Sequence, residues 1–381
     1  MTATVGVAGA YDRRTEAPVD GRRARSNDRS GARAIRRGSG GDTVSAQLRA
    51  GIVGTGFIGE THLGAWTAEG VTTVVYDVDS ARADELAGRF GATTASSLGE
   101  LFEAVDVVDV CTPTHLHAPV AIAAAKAGRH VICEKPMART AADAEAMLDA
   151  AREAGVRLLV GHVVRFFPEY VAARDAVLAG QIGDPGVLRL TRASFRPRQP
   201  AGHWFFDHAK SGGIVLDLMI HDLDYARWVA GEVVAVECRS AIVDRPEAGV
   251  DHAVAILTHA SGAISHVSAS WAYAPPTFRT AFEIAGSHGL IEHDSAFTAP
   301  VTPYLLASGD GATTTALADT SLNGDPFRHE LAEFARAMVD GTPTRTSAQD
   351  ALATLRLALA ADQSAHEGGR VVRLDPAEAV R

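Results

Sequence analysis

Between residues 48 and 160, short runs of β-branched residues alternate with longer alanine-rich stretches whose apolar positions recur at helical spacing. This alternation predicts parallel strands joined by crossover helices, in a doubly wound α/β sheet. The predicted strands cover residues 48–53, 72–76, 107–111, 130–133 and 157–160, and the predicted helices lie near 58–69, 80–89, 118–127 and 140–154. Open parallel sheets bind ligands beyond the carboxyl ends of their strands, so the residues there are the first candidates for chemistry.

After about residue 165 the pattern changes, because most of the strand-like runs now follow one another without helices between them. The runs lie near residues 187–196, 233–243, 251–258, 263–272, 279–285, 289–293 and 371–374. Helices are predicted near 169–180, 214–230, 326–340 and 347–366. The pattern predicts an α+β domain with an open, largely antiparallel sheet. We therefore expect a first domain over residues 46–165 and a second over 166–381, whose last helices pack back on the first.

Length and composition agree with this division. A chain of 381 residues exceeds the 100–200 or so of a typical domain. Residues 1–45 are rich in Arg, Gly and Ser and nearly devoid of aromatics, which predicts a disordered tail. The chain carries a formal charge of -10, although residues 1–41 contain nine Arg and four acidic residues. The folded part is therefore acidic, which argues against nucleic acid as a partner.

The chain also lacks the features of a membrane or disulfide-bonded protein. No apolar run approaches the roughly 20 residues that a membrane-spanning helix needs, so no membrane partner is expected. The three cysteines, Cys111, Cys133 and Cys238, show no C-x-x-C spacing. This pattern excludes a disulfide framework and favours a reducing, cytoplasmic location.

A glycine-rich turn follows the first predicted strand and opens the first predicted helix. It reads Gly54-Thr55-Gly56-Phe57-Ile58-Gly59, and an acidic residue, Asp77, ends the next strand. In this context the spacing indicates a dinucleotide site, with the first Gly in the tight turn, the second beside the pyrophosphate and the third at the helix–strand contact. Asp77 would bind ribose hydroxyls and repel a 2′-phosphate, so NAD is favoured, although Asp79 and Arg82 nearby leave NADP possible.

Two further strand ends carry candidate residues. Thr112, Pro113 and His117 follow the third strand, and Glu134-Lys135-Pro136 ends the fourth. Only three of the 36 basic residues are lysines, and Lys135 alone among them stands at the carboxyl end of a strand. A lysine retained against such a bias suggests a need for an amine, whose pKa shifts more readily than that of Arg.

A third segment, Gly212-Gly213-Ile214-Val215-Leu216-Asp217-Leu218-Met219-Ile220-His221-Asp222, begins a predicted helix. Asp217 and His221 are four residues apart and share a helix face. The pair suits either an ordinary surface ion pair or proton transfer near neutral pH, and the residues alone do not decide between the two.

Taken together, the three motifs resemble the Gfo/Idh/MocA oxidoreductases, the family of glucose–fructose oxidoreductase and inositol 2-dehydrogenase. The resemblance covers about residues 49–373. It implies a Rossmann domain followed by an open-faced sheet domain, and hydride exchange between a nicotinamide and a hydroxyl-bearing carbon of a sugar or cyclitol. By motif it implies catalytic roles for Lys135, Asp217 and His221, with His221 as the proton acceptor.

The expected cofactor contacts are Gly54, Gly56, Phe57, Ile58, Gly59, Asp77, Thr112, Pro113, His117, Glu134, Lys135 and His162. Family members often carry Asn near His162, so this position departs from the pattern. The expected substrate contacts are Arg165, His203, Trp204, Asp217 and His221. The aromatic and imidazole side chains suit a polyol or sugar, whereas arginines near them also permit a phosphorylated or carboxylated substrate.

Two other functions remain open from the sequence. A non-catalytic NAD-binding sensor would share the fold, although the intact Lys135, Asp217 and His221 argue against it. A metal-dependent hydrolase would need a ligand spacing that His203, His208, Asp217 and His221 do not show, so no metal is expected.

We also expect a homodimer or homotetramer, because several apolar residues are predicted to point outward from the second sheet. These residues are Val236, Ile242, Val254, Ile256, Ile264, Val267 and Trp271.

Overall fold

The computed structural model describes residues 48–197, 199, 202–242, 251–297, 301–305, 313–314 and 324–375. The tail predicted for residues 1–45 lies outside the described residues.

The first sheet has six parallel strands in the order β3-β2-β1-β4-β5-β6. The strands are β1 (Arg49–Val53), β2 (Thr72–Tyr76), β3 (Thr93–Thr94), β4 (Val107–Val110), β5 (His130–Glu134) and β6 (Leu158–Gly161). The helices that connect them are α1 (Phe57–Ala68), α2 (Ser80–Phe90), α3 (Leu98–Ala104), α4 (His117–Lys126) and α5 (Ala141–Ala154). The chain reverses direction across the sheet between β1 and β4, which is where doubly wound folds bind nucleotides.

The prediction of a doubly wound parallel sheet is confirmed. Each of its five predicted strands is present with its ends shifted by no more than one residue. Neither β3 nor α3 was predicted, because β3 has only two residues, both exposed, and α3 is a single short helix of seven residues. Elements this short carry too few apolar positions to show a period.

The second sheet has nine strands in the order β14-β13-β12-β11-β7-β10-β9-β8-β15, and β7 and β10 are its one parallel pair among the described strands. The strands are β7 (Pro185–Ser194), β8 (Val233–Ile242), β9 (Asp251–His259), β10 (Ile264–Ser270), β11 (Phe278–Gly286), β12 (Gly289–Asp294), β13 (Thr302–Leu305), β14 (Thr313–Thr314) and β15 (Val372–Arg373). The helices of this part are α6 (Pro168–Leu178), α7 (His208–Ser211), α8 (Ile220–Ala230), α9 (Pro326–Asp340) and α10 (Ala348–His366). The expected open, largely antiparallel sheet is therefore present.

One predicted helix is interrupted. The sequence predicts a continuous helix over residues 214–230, but a π-helical turn at Val215–Met219 precedes α8. Single π turns inside helices occur frequently at functional sites, and this one contains Asp217.

Helix α9 returns to the first domain. Leu331 and Phe334 of α9 share a buried core with Leu63 and Trp66 of α1. Phe334 also contacts Phe166 edge to face, with 6.1 Å between ring centroids. Helix α9 is therefore held against the first domain by apolar packing, and a second buried core contains residues of both sheets.

The second sheet buries one face and exposes the other. Some of the apolar residues predicted to point outward lie on the buried face and some on the exposed face. Val236, Val267 and Trp271 are buried, so the expectation that they point outward was wrong. The period of two places them on the face that the helices cover. Val254, Ile256 and Ile264 are exposed, as expected, and the side chain of Ile242 lies outside the described residues.

Candidate active site at the strand ends

The glycine-rich turn after β1 has the geometry that a bound dinucleotide requires. Gly54 has a φ of +101°, and a Cβ there would lie 2.7 Å from the carbonyl oxygen of Cys111. A Cβ on Gly59 would lie 2.0 Å from the carbonyl oxygen of Gly54, which fixes the close helix–strand contact. A Cβ on Gly56 would meet nothing within 4 Å. Gly56 therefore leaves open space at the N-terminus of α1, where backbone N–H groups favour phosphate.

Asp77 lies at the end of β2, beside this turn. Its Oδ2 accepts hydrogen bonds from the backbone N–H and the hydroxyl of Thr55, at 2.8 and 2.7 Å, and its Oδ1 accepts from Asp79 N–H. Burial alone would raise the pKa of Asp77, but these hydrogen bonds lower it. The group is therefore a carboxylate at neutral pH, held in place next to the turn.

His117 contacts the segments that follow β4 and β5. The ring nitrogens of His117 lie 2.9 Å from the carbonyl oxygens of Pro136 and Thr112. Burial lowers the pKa of His117, so its neutral ring donates to one of these carbonyls at a time. His117 thus contacts the protein with both nitrogens and positions the neighbouring residues, rather than facing an open site as a cofactor ligand would. The hydroxyl of Thr112 is buried and has no hydrogen-bond partner among the described residues.

Lys135 reaches from β5 to the π-helical turn. Its Nζ donates to the carbonyl oxygen of Asp217 at 2.7 Å and lies 3.4 Å from Asp217 Oδ1. The peptide bond between Lys135 and Pro136 is cis. The three-dimensional structure therefore brings together Lys135 and Asp217, which are 82 residues apart in the chain. Lys126 is exposed at the end of α4, and Lys210 pairs with Asp207 at a partly exposed site.

His221 is the second residue of α8. Its pKa is lowered well below the ordinary value, chiefly by burial and then by the positive charges of Lys135 and Arg192. Its Nδ1 is buried without a hydrogen-bond partner in the described chain. The close contacts of Asp217 are with Lys135 and not with His221. At neutral pH this imidazole is uncharged and able to accept a proton.

Two buried ion pairs hold α8. Arg192 of β7 binds Asp222 through two nitrogens, at 2.9 and 3.0 Å. Arg165, in the 3₁₀ turn after β6, binds Asp224 in the same way, at 2.8 and 2.7 Å. Bidentate pairs fix orientation as well as distance, so they set the direction of His221. Neither of these two pairings was predicted from the sequence.

The contacts of Arg165 do not support the expectation that it binds substrate. The side chain is 1% exposed, and besides Asp224 its guanidinium contacts Asp350 and the carbonyl oxygen of Arg345. A side chain so enclosed by the protein has little capacity left for a ligand.

Comparison with known proteins agrees with the fold and the motifs. Residues 48–162 match the family model described as "Oxidoreductase family, NAD-binding Rossmann fold". Residues 170–292 match the "GFO/IDH/MocA C-terminal domain". The chain belongs to the Gfo/Idh/MocA family. It is therefore an oxidoreductase with an NAD-binding Rossmann domain, and nothing in the comparisons supports the non-catalytic alternative.

Several Gfo/Idh/MocA proteins resemble the chain over most of its length. Inositol 2-dehydrogenase of Rhizobium meliloti is 32% identical over 84% of this chain and 97% of its own. Myo-inositol 2-dehydrogenase of Thermotoga maritima is 33% identical over 86% of this chain and 99% of its own. A solved levoglucosan dehydrogenase in complex with NADH and levoglucosan is 25% identical, with a TM-score of 0.76 over 86% of this chain and 99% of its own.

A buried polar network lies under the Gfo/Idh/MocA motif Glu134-Lys135-Pro136. His62 of α1 lies 3.0 Å from Asp109 through Nδ1 and 3.2 Å from Glu134 Oε1 through Nε2. Burial would lower the pKa of His62, but the charge of Asp109 and hydrogen bonds with Asp109 and Cys111 raise it well above its ordinary value. His62 is therefore a cation that pairs with both carboxylates. His62 was not among the predicted site residues, although its place three residues after Gly59 was a usable signal.

Glu330 of α9 lies beside His62 and Glu134, although neither of its carboxyl oxygens has a hydrogen-bond partner among the described residues. Its side chain is fully buried, and a Cβ on Gly161 would lie 3.6 Å from its Oε2 and 2.9 Å from Glu134 Oε1. Burial and then the charge of Glu134 raise the pKa of Glu330 well above its ordinary value, which favours its protonated form. Glu134 itself accepts a hydrogen bond from Lys135 N–H at 3.0 Å, so this buried network helps to position Lys135.

The remaining predicted residues lie around this centre. His162 is buried, with its Nδ1 3.7 Å from Asp224 Oδ2. His203 and Trp204 are partly exposed in the segment before α7, where Trp204 lies 6.2 Å from the ring of His115, which follows β4. This segment therefore contacts the first domain beside Thr112. Phe57 is 83% exposed at the start of α1.

Among the helices that the structure describes, none combines the length and apolar composition that crossing a membrane requires.

Proposed function

We propose that the chain interconverts a secondary hydroxyl and a ketone on a sugar or cyclitol. The proposal rests mainly on the contact of Lys135 Nζ with Asp217, close to the uncharged His221. Lys135 directly follows β5, at the same edge of the first sheet as the glycine-rich turn. A neutral imidazole can accept a hydroxyl proton, and an amine held in place by a carboxylate can stabilise the negative charge that develops on the oxygen.

The residues around the turn fit NAD. Gly54, Gly56 and Gly59 would accommodate the pyrophosphate at the start of α1, and Asp77 would accept hydrogen bonds from the ribose hydroxyls. Thr112, Pro113, Glu134 and His162 would line the nicotinamide end. The bound nicotinamide supplies the acceptor or donor of a hydride.

In the oxidative direction, His221 accepts the proton of the substrate hydroxyl. Lys135 lies beside the position where negative charge develops on that oxygen and stabilises it. Asp217 holds the ammonium group of Lys135 through its backbone carbonyl oxygen and carboxylate. In the reductive direction the same groups return the proton to a ketone oxygen.

The charge balance favours an uncharged substrate. Arg192, whose charge acts on His221, and the buried Arg165 both already pair with carboxylates of α8. A phosphate or carboxylate on the substrate would have to compete with those pairs. Inositol and levoglucosan, after which similar dehydrogenases are named, are uncharged polyols, and His203 and Trp204 would contact such a molecule.

The experiment is a turnover assay that follows reduced-nicotinamide absorbance with inositols, glucose, levoglucosan and an amino-cyclitol, each with NAD and with NADP. We expect turnover with at least one polyol, and none with a matched sugar phosphate. We also expect kcat/KM to favour NAD by about 100-fold, since a 2′-phosphate facing Asp77 costs several kcal/mol. NAD binding without turnover on any polyol would support the sensor function instead.

The exposed sheet face supports a second proposal, a homodimer or homotetramer. Val254, Ile256 and Ile264 are 41–47% exposed on adjacent strands. Burying such a patch in a second copy would remove apolar surface from water. We expect light scattering to give a dimer or tetramer mass that Ile256→Glu lowers, whereas Leu178→Glu, at an apolar residue 66% exposed on α6, leaves it unchanged. A monomer mass at all concentrations would contradict the proposal.

We also propose a cytoplasmic location. Cys111, Cys133 and Cys238 are all unpaired and buried, as thiols of a reducing compartment are.

A further inference from the structure

A cluster of two histidines and an aspartate lies apart from the residues assigned above. His208 begins α7, and Asp362 and His366 lie in the last turns of α10. His208 Nε2 is 3.1 Å from Asp362 Oδ1, and His366 Nδ1 is 3.6 Å from the same oxygen. One ligand atom from each of the three residues falls within 4.8 Å of the others. His208 and Asp362 are 154 residues apart, so no local sequence motif predicts the cluster.

We propose that His208, Asp362 and His366 bind one divalent transition-metal ion of the Zn²⁺ type. Zinc binds imidazole nitrogen and carboxylate oxygen at about 2.0–2.2 Å in a tetrahedron, whose edges are then about 3.3 Å. The two measured separations, 3.1 and 3.6 Å, bracket that edge. Two imidazoles favour Zn²⁺, Ni²⁺ or Cu²⁺ over Mg²⁺, which prefers oxygen ligands.

The exposure of the cluster suits a site that ions reach from solvent. The side chains of His208, Asp362 and His366 are 39%, 17% and 57% exposed. A fourth position therefore remains open to water, as in sites with three protein ligands. An ion here would replace the hydrogen bond that His366 Nδ1 donates to the carbonyl oxygen of Asp362 at 2.8 Å.

A metal ion bound to His208 would also restrain the segment that leads into the π-helical turn. The ring of His208 packs on Gly213, where a Cβ would lie 2.9 Å from His208 Cδ2. Gly213 has a positive φ and lies four residues before Asp217. An ion joining His208 to α10 would therefore tie the segment that leads into the π-helical turn to a long, buried helix, and we expect it to raise the melting temperature.

The experiment is calorimetric titration of the full chain with ZnCl₂, in the absence of substrate. We expect one ion per chain, and binding weakened about 10–100-fold or more by His366→Gln and by Asp362→Asn. His329→Gln, at an exposed histidine of α9, is the matched control and should bind as the wild type does. Mg²⁺ should give no binding.

Two results would overturn the proposal: no zinc binding to the wild-type chain, or equal affinity and stoichiometry in His366→Gln, Asp362→Asn and the wild type. Either would leave the three residues as an ordinary ion pair with a helix-terminal hydrogen bond. Melting curves without zinc check that the variants fold. Because the titration uses no substrate and no nicotinamide, its failure is separate from a failure of the proposed dehydrogenase activity.

Discussion

Lys135→Met is expected to lower kcat by about 10³-fold on whichever polyol the chain oxidises. Methionine keeps the unbranched stem of the side chain and removes the ammonium group that would stabilise developing negative charge on oxygen, an effect of about 10²–10³-fold for a single donor. Folding should be little affected, because the carboxylate of Asp217 is 23% exposed and remains hydrated when its partner is lost. Lys126→Met, at an exposed lysine of α4, is the control and should retain wild-type kcat.

The pH dependence of the same variant separates a catalytic role from a structural one. In the oxidative direction the rate requires neutral His221, so kcat falls at acid pH as this group is protonated. Burial and then Lys135 lower the pKa of His221. Removing the lysine charge therefore raises that pKa, and the acid limb of the residual activity should move to higher pH.

His221→Ala completes the test. We expect a loss of about 10²–10⁴-fold in kcat together with loss of the acid limb, because no neighbouring group replaces the base. If turnover survived in His221→Ala while Lys135→Met abolished it, the proton would have to be assigned to Lys135, and His221 would keep only a binding role.

The sequence predicted the strand ends because alternation and apolar runs report burial directly. The π-helical turn at Val215–Met219 was beyond such reasoning, since its apolar pattern equals that of the helix that follows. The face of the second sheet was misjudged for a related reason. Val236 and Val254 belong to neighbouring strands, and only the register between the strands shows that they point to opposite faces.

The candidate site was predictable where chemistry depends on motifs, and not where it depends on distant partners. Lys135, Asp217 and His221 stand in recognisable segments. Glu330 lies on a helix nearly 200 residues after Glu134, and no local pattern marks it as buried. Arg165 was predicted as a substrate contact from its place after the sixth strand, and only the folded structure shows that its guanidinium already binds two carboxylates.

Arg165→Met is expected to destabilise the chain by about 3–5 kcal/mol at neutral pH. The substitution would leave the buried carboxylate of Asp224 without its bidentate partner, and removing one member of a buried pair costs that much. Arg189→Met breaks a pair with Glu283 on the exposed sheet face, where the side chains are 57% and 34% exposed, and should cost less than about 1 kcal/mol. Urea denaturation measures both changes in the free energy of unfolding.

The pH dependence of this loss has a definite sign. Burial alone would raise the pKa of Asp224, but Arg165, helped by His162, holds it well below the ordinary value. In the wild type, the paired carboxylate therefore stabilises the fold above the unfolded pKa of about 4, and this contribution is lost only as pH falls further. Without Arg165, burial dominates and the pKa of Asp224 rises above its unfolded value. Protonation of Asp224 then removes the cost of burying an unpaired charge, so the difference in the free energy of unfolding between variant and wild type should shrink as pH falls from 7 towards 4.

Asp224→Asn, added to Arg165→Met, should recover part of the stability at pH 7, because Thr354 still donates to the residue at that position. A raised KM with unchanged stability would instead return Arg165 to the substrate site.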